Sequence, residues 1–270
     1  MPELPEVETT CRGIRPHLCG MRVVRVWLRE SRLRWPVDPE IALLEGQMFH
    51  AVERRGKYLL LKTDKGCAIV HLGMSGSLRI VAPEVPLRKH DHVLIDMDSG
   101  RQLRFHDPRR FGSWLWSASA PLQHPLLQKL GLEPLAKEFN GNYLHQHCRD
   151  RKKTIKALLM DASVVVGVGN IYANEALFYA GIRPTRAAGK LSLARLSRLT
   201  GAIKTVLQRS IEQGGTTLRD FLREDGSPGY FRQQLAVYER KGQACGQCGQ
   251  VIRHCVTGQR STYFCPHCQR

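Results

Sequence analysis

The sequence predicts an α+β fold: a leading helix, an N-terminal β-sandwich or barrel, a helical second half, and a C-terminal β-hairpin built around metal. Three observations carry this. Apolar residues recur at helical spacing at the start, at period two from about residue 21 to 116, and at helical spacing again from Asn140. A stretch containing Pro121, Pro125, Gly131 and Pro134 separates the last two regimes. Four of the nine cysteines fall within the last 26 residues at regular spacing.

The leading helix follows from Val7, Cys11, Ile14 and Leu18, spaced to line one face, with Pro5 in the first turn and Glu6 and Glu8 at the positive end. Next come the strand patterns MRVVRVWL, KYLLLKT, CAIVHLG, SLRIV, HVLIDMD, RQLRFHD and SWLW. They are punctuated by turns such as Asp64-Lys65-Gly66 and Asp98-Ser99-Gly100. Beyond the Pro/Gly stretch, Asn140 to Cys148 and Lys153 to Asp161 read as short helices. Gly167 and Gly169 precede a helix from Asn170 to Tyr179, and Leu193 to Ile211 form one long helix. The segment GGTTLRDFLREDGSPGYF, with glycines at both ends, reads as a mobile loop. The domain boundaries expected are 1–130, 131–235 and 236–270.

The 270 residues carry a formal net charge of +17, so the surface attracts polyanions. The charge is uneven: residues 1–140 hold 21 basic and 16 acidic side chains, residues 141–270 hold 20 and 8. With 42% hydrophobic residues the chain can bury a core, but no apolar run approaches the roughly 18 residues of a membrane span. The acidic start MPELPEVETT lacks the basic and apolar regions of a signal peptide, so a cytoplasmic location is expected.

Cys245-x2-Cys248, sixteen residues, then Cys265-x2-Cys268 is the spacing in which two knuckles present four thiolates to one zinc. The alternative is two disulfides or four idle thiols, disfavoured in a reducing compartment. Four thiolates close the coordination shell, so the zinc is expected to be structural. Between the knuckles VIRHCVTGQRSTYF reads as a hairpin holding Arg260 outward, either as a solvated charge or as a functional group. At the other end, loss of Met1 would make Pro2 a secondary amine. An α-amino group with a pKa of roughly 7.7 to 8.0 is partly neutral and nucleophilic at working pH. The alternative is an ordinary frayed terminus.

PELPEVE at 2–8, RRGKYLLL at 54–61, HLGMSG at 71–76, HDPRRFG at 106–112, VGVGNIYANEALF at 166–178, GGTTLRDF at 214–221 and GQRSTYFCPHCQ at the end together resemble the bacterial formamidopyrimidine-DNA glycosylases, which are 8-oxoguanine DNA glycosylases and AP lyases. The resemblance runs from residue 2 to the last knuckle. Leu4 separates the chain from the sister endonuclease VIII family, which has Gly at that position.

The resemblance implies a β-sandwich with a leading helix, a helical domain with a helix-two-turn-helix motif, and a zinc finger. It implies Pro2 as the Schiff-base nucleophile, Glu3 as the acid at the sugar, Lys57 as the proton donor in β-elimination and Arg260 in δ-elimination. His90, Arg109 and Arg151 fall where the family contacts DNA, and Asn170 where it holds a phosphate. Met74, Arg109 and Phe111 fill the space left by an extruded base, since a base taken out of the stack leaves a hole and an orphaned partner. By residue type alone, Met74 and Phe111 also read as core positions, although Gly73, Gly76 and Gly112 beside them mark turns.

The function expected is base-excision repair of oxidised purines in double-stranded DNA by a monomer carrying one structural zinc. Thr216, Thr217 and Tyr230 of the loop would be placed to bond the flipped base. Two other readings are an endonuclease VIII-like enzyme for oxidised pyrimidines and a non-catalytic zinc-ribbon nucleic-acid-binding protein.

Overall fold

The structure is a computed structural model that describes residues 2–215 and 234–270; the loop segment with Thr216, Thr217 and Tyr230 lies outside the described residues. The chain divides near Lys129 into two compact units, the second of which joins residues 130–212 to the C-terminal segment.

The first unit opens with α1 (Leu4–Leu18), whose Leu4, Val7, Cys11, Ile14 and Leu18 are at most 1% exposed. Their spacing lays a continuous apolar stripe along the helix, and α1 packs it against β2 (Ala51–Arg55), β3 (Tyr58–Thr63) and β5 (Ser77–Val81). With β1 (Val23–Leu28), β4 (Gly66–His71), β6 (Asp91–Met97), β7 (Gln102–His106) and β8 (Ser113–Ser117) the strands form two antiparallel four-stranded sheets. Their orders are β1-β6-β7-β5 and β2-β3-β4-β8, so the sandwich, not the barrel, is realised. Inward residues of both sheets meet in one core with α1, in which Phe105 and Trp114 pack edge to face at 6.0 Å between ring centres.

The second unit holds α2 (Gly141–Cys148), α3 (Ile155–Leu159), α4 (Asn170–Tyr179) and α5 (Leu193–Glu212). Asn140 caps α2 by accepting the Tyr143 N–H, and Thr154 caps α3 through the Ala157 N–H. The hairpin β9 (Arg253–Thr257) and β10 (Arg260–Phe264) packs on α4, and Phe178 of α4 enters the small core of Val237, Cys245, Ile252 and Cys265. Helices and hairpin therefore make one unit. Among the described residues no helix is long and apolar enough to cross a membrane.

Burial keeps the thiols of Cys11 and Cys148 protonated, raising them to about 11, and that of Cys67 to about 12. At the start of β6, Asp91 is fully buried and accepts from Arg79 at 2.7 Å, His106 at 2.9 Å and the Arg88 backbone N–H at 2.9 Å. Burial alone would raise its carboxyl, but the His106 and Arg88 hydrogen bonds and the Arg79 charge hold it at about 2. Because the folded value lies below the ordinary 3.8, the stability Asp91 contributes is complete above that value and is lost as pH falls toward 2. Urea unfolding followed by circular dichroism should show the wild type losing about 2 kcal/mol more than Asp91→Asn between pH 5 and pH 2. Parallel acid limbs for the two proteins would reject that role.

Candidate active site

In the first unit the site begins at the N-terminus of α1. Pro2 and Glu3 are buried, and Glu6 Oε2 accepts the Glu3 backbone N–H at 2.9 Å, which closes the first helical turn on itself. The same helix reaches the hairpin that carries Lys57. Glu8 takes Arg12 at 2.7 Å and Arg54 at 2.8 Å; although burial raises its carboxyl, these two guanidinium groups bring it below the ordinary range. Arg54 also donates to the Gly56 carbonyl at 3.0 Å. Arg55 pairs with Tyr58 across the strands, so Gly56, at φ 58°, and Lys57 form the two-residue turn of the β2–β3 hairpin. The ion pair thus ties the Lys57 turn to the helix that bears Pro2 and Glu3.

Next to this hairpin lies His71, at the end of β4, with its ring 4.9 Å from that of Tyr58. Burial, helped by the Lys57 and Arg34 charges, lowers it to about 4, so the neutral ring accepts the Gly73 N–H on Nδ1 at 3.0 Å. That bond starts the loop bearing Met74. At Gly73, φ +66°, a Cβ would lie 2.3 Å from the Phe111 carbonyl carbon and 2.4 Å from the Gly112 nitrogen, so only glycine allows the two loops to touch. Met74 is 36% exposed and Phe111 43% exposed, which removes the reading of both as core residues. Exposed Arg109 lies over the Phe111 ring at 4.9 Å. His90, half-buried, sits near the same loop through the Asp107 N–H, which donates to its carbonyl at 3.0 Å. Burial and neighbouring His92 lower the His90 ring, which favours its neutral form.

In the second unit Asn170 opens α4 after Gly169, half-buried at the end where backbone amides can face an anion. The helix is fastened below that point. Asn174 accepts the Tyr263 N–H of β10 at 2.8 Å, and buried Glu175 accepts the amides of Ala236, Val237 and Tyr238 at 2.7 to 2.9 Å. Burial raises the Glu175 carboxyl against the pull of those amides. Arg260 is exposed where the hairpin turn of Gly258 and Gln259, both at positive φ, enters β10. Lys156, 2% exposed, roots the hairpin by donating to the Ser261 carbonyl and Thr262 Oγ1, each at 2.7 Å. Lys156, Ala157, Met160, Thr257, Gly258 and Arg260 line a concavity of about 190 Å³. Arg151 is exposed in the turn after α2, where its N–H donates to the Cys148 carbonyl at 3.0 Å.

The four thiols of Cys245, Cys248, Cys265 and Cys268 converge within 4.8 Å of one another. The Cys248 and Cys265 sulfurs are 3.5 Å apart and those of Cys245 and Cys268 3.9 Å. Tetrahedral zinc with Zn–S of about 2.3 Å sets its sulfurs about 3.8 Å apart, so this donor set fits one structural zinc and leaves no ligand position open.

The sequence-predicted residues therefore divide by unit. Pro2, Glu3, Lys57, Met74, His90, Arg109 and Phe111 belong to the first; Arg151, Asn170, Arg260 and the cysteines belong to the second. Sequence reasoning missed the residues that position them: Glu6, Ser75, Asp107, Lys156, Asn174 and Glu175. Glu6, Ser75, Asp107, Asn174 and Glu175 lie inside the motifs and Lys156 in the helix expected from Lys153 to Asp161, but residue type alone does not mark them as positioning groups.

Three family models match the chain. Residues 1–114 match the formamidopyrimidine-DNA glycosylase N-terminal domain, residues 130–222 the formamidopyrimidine-DNA glycosylase H2TH domain, and residues 242–270 a zinc finger found in FPG and IleRS. Formamidopyrimidine-DNA glycosylase of Methylococcus capsulatus is 59% identical over 271 residues, and that of Escherichia coli strain 55989 is 56% identical over 270, each covering 100% of both chains. Among solved structures, the MutM (Fpg) protein of Thermus thermophilus superposes with a TM-score of 0.89 at 39% identity, covering 99% of this chain and 98% of that one. A Lactococcus lactis FPG mutant in complex with Fapy-dG-containing DNA superposes at 0.92 and 32% identity, with 100% of both chains covered. The sandwich with its leading helix, the helical H2TH domain and the four-cysteine hairpin thus agree with full-length identity, and the chain belongs to the formamidopyrimidine-DNA glycosylase family.

Proposed function

We propose that the protein excises oxidised purines, 8-oxoguanine and ring-opened formamidopyrimidines, from duplex DNA and then nicks the strand, using Pro2 once Met1 has been removed. The observation that carries this reading is the pair of exposed apolar side chains, Met74 and Phe111, held with Arg109 on loops that touch through Gly73. Large apolar groups standing in water on braced loops serve binding, not the core. In this reading they fill the gap left by the flipped nucleotide while the Arg109 fork bonds the orphaned cytosine. Comparison with the Lactococcus lactis protein, seen in complex with Fapy-dG-containing DNA, supports the same substrate class.

The chemistry then follows from the residue types. The Pro2 nitrogen attacks the sugar carbon that carried the base, the base leaves, and Glu3, the next residue, supplies a proton to the sugar as it opens. The resulting iminium acidifies the neighbouring sugar C–H. Elimination expels the 3′ phosphate and, in a second round, the 5′ phosphate. Lys57 and Arg260 act as the proton donors assigned to those two steps. His90, Arg109, Arg151 and Asn170 hold the DNA, and the zinc hairpin keeps Arg260 in place. We assign catalysis to residues 1–130, helical DNA binding to 131–235 and the zinc finger to 236–270, in a monomer of the bacterial cytoplasm.

Borohydride reduction during reaction with an 8-oxoguanine duplex should leave a covalent protein–DNA adduct in wild type and none in a form that retains Met1. Equal trapping by the capped form would remove Pro2 from the mechanism. An 8-oxoguanine duplex should be cut faster than a thymine glycol duplex; the reverse order favours the pyrimidine-lesion reading.

Duplex affinity should fall between 50 and 200 mM salt with a logarithmic slope of about −0.9 per phosphate neutralised, and a flat titration would argue against a phosphate-dominated interface. Metal analysis should return one zinc per chain. Cys265→Ser should lose that zinc and at least about tenfold in duplex affinity, because the hairpin folds around it. Wild-type affinity in the zinc-free variant would exclude the hairpin from DNA binding.

A further inference from the structure

Asp107 is 0% exposed and lies in HDPRRFG, two residues before Arg109, yet no step of the chemistry uses it. Its bonds reach three segments. Oδ1 accepts the Ser75 hydroxyl at 2.7 Å, and Ser75 is the residue after Met74. Oδ2 accepts the Gly112 N–H at 2.7 Å, next to Phe111. Its backbone carbonyl accepts from His92 Nε2 at 2.8 Å and from the Arg110 N–H at 3.2 Å, while its own N–H donates to the His90 carbonyl. Ser75 closes the circuit, because its Oγ also accepts the Arg109 N–H at 3.2 Å.

We propose that Asp107 is the positioning residue of the wedge: its two carboxylate oxygens lock the Met74 loop to the Arg109–Phe111 loop, and so set how the enzyme reads the base opposite the lesion. The proposal rests on the assignment of Met74, Arg109 and Phe111 to the vacated space. Carboxylate hydrogen bonds to buried donors are about twice as strong as neutral ones, and here both donors are neutral groups on different loops. Gly73 gives the contact its closeness but no direction, since it meets only backbone atoms. The carboxylate supplies the direction. Arg110, at φ 55°, keeps a left-handed backbone between Arg109 and Phe111, a conformation that a non-glycine residue holds only when its surroundings fix it.

The amide of Asp107→Asn can offer only one acceptor. Gly112 N–H can only donate, so the oxygen must face it, and the Ser75 hydroxyl loses its acceptor. Ser75→Ala is milder, leaving the Gly112 bond intact while cutting the link to both Asp107 and the Arg109 backbone. The readout is the single-turnover excision rate of 8-oxoguanine opposite cytosine relative to that opposite adenine, with thermal melting as the folding control. Arg109→Ala serves as the reference that should abolish the preference. Asp107→Asn and Ser75→Ala should each lower the cytosine-over-adenine ratio about tenfold, as loss of a buried charge-assisted bond implies.

A ratio that stays at the wild-type value in Ser75→Ala and Asp107→Asn while collapsing in Arg109→Ala overturns the proposal alone, even where both absolute rates drop together. If Asp107→Asn fails to melt cooperatively, Ser75→Ala decides. A ratio untouched in Arg109→Ala overturns the reading of Arg109 itself, and the proposal with it.

Discussion

The constraint on which the N-terminal site depends is the burial of α1 along its whole length. The first residues of a chain ordinarily fray, because nothing offsets their conformational entropy. Here Leu4 is already at 0% exposure, and the stripe continues through Val7, Cys11, Ile14 and Leu18 into the sandwich core. Glu6 holds the backbone of Glu3, and Glu8 with Arg54 links the hairpin that carries Lys57 to the same helix. Ordinary apolar packing thus gives Pro2 and Glu3 a fixed place next to the helix.

The second unit solves a related problem with buried polar groups. A short hairpin cannot bury enough surface to hold itself, and thiolates meeting at one zinc supply the missing energy. That alone would leave the hairpin free to pivot. Lys156 from α3 and Asn174 from α4 grip β10 from two helices, and Phe178 enters the small core beside Cys245 and Cys265. The bonds are directional, so they fix orientation as well as contact.

Most of this architecture was legible in the residues because it rests on periodicity and on spacing. The stripe of α1, the alternating strands and the paired cysteines are local patterns, and each appears where its pattern lies. Strand β2 is the exception, because only Val52 faces the core fully and Glu53-Arg54-Arg55 show no alternation. The exposed residues Met74, Arg109 and Phe111 were legible only through motif resemblance, since composition reads Met and Phe as core. Asp107, Lys156 and Glu175 were not legible as positioning groups at all. A buried charge is rare and is tolerated only with partners, and those partners come from Ser75, Ser261 and Val237, far along the chain. The window around Asp107 contains Gly112 but not Ser75, and no local window contains both halves of the Lys156 or Glu175 contacts.

The three amides that Glu175 gathers from Ala236, Val237 and Tyr238 mark where the chain re-enters the second unit. A carboxylate at that point works as a bookmark. Residues added or deleted ahead of Gln234 would change the length of the preceding segment without shifting the register of the hairpin that follows.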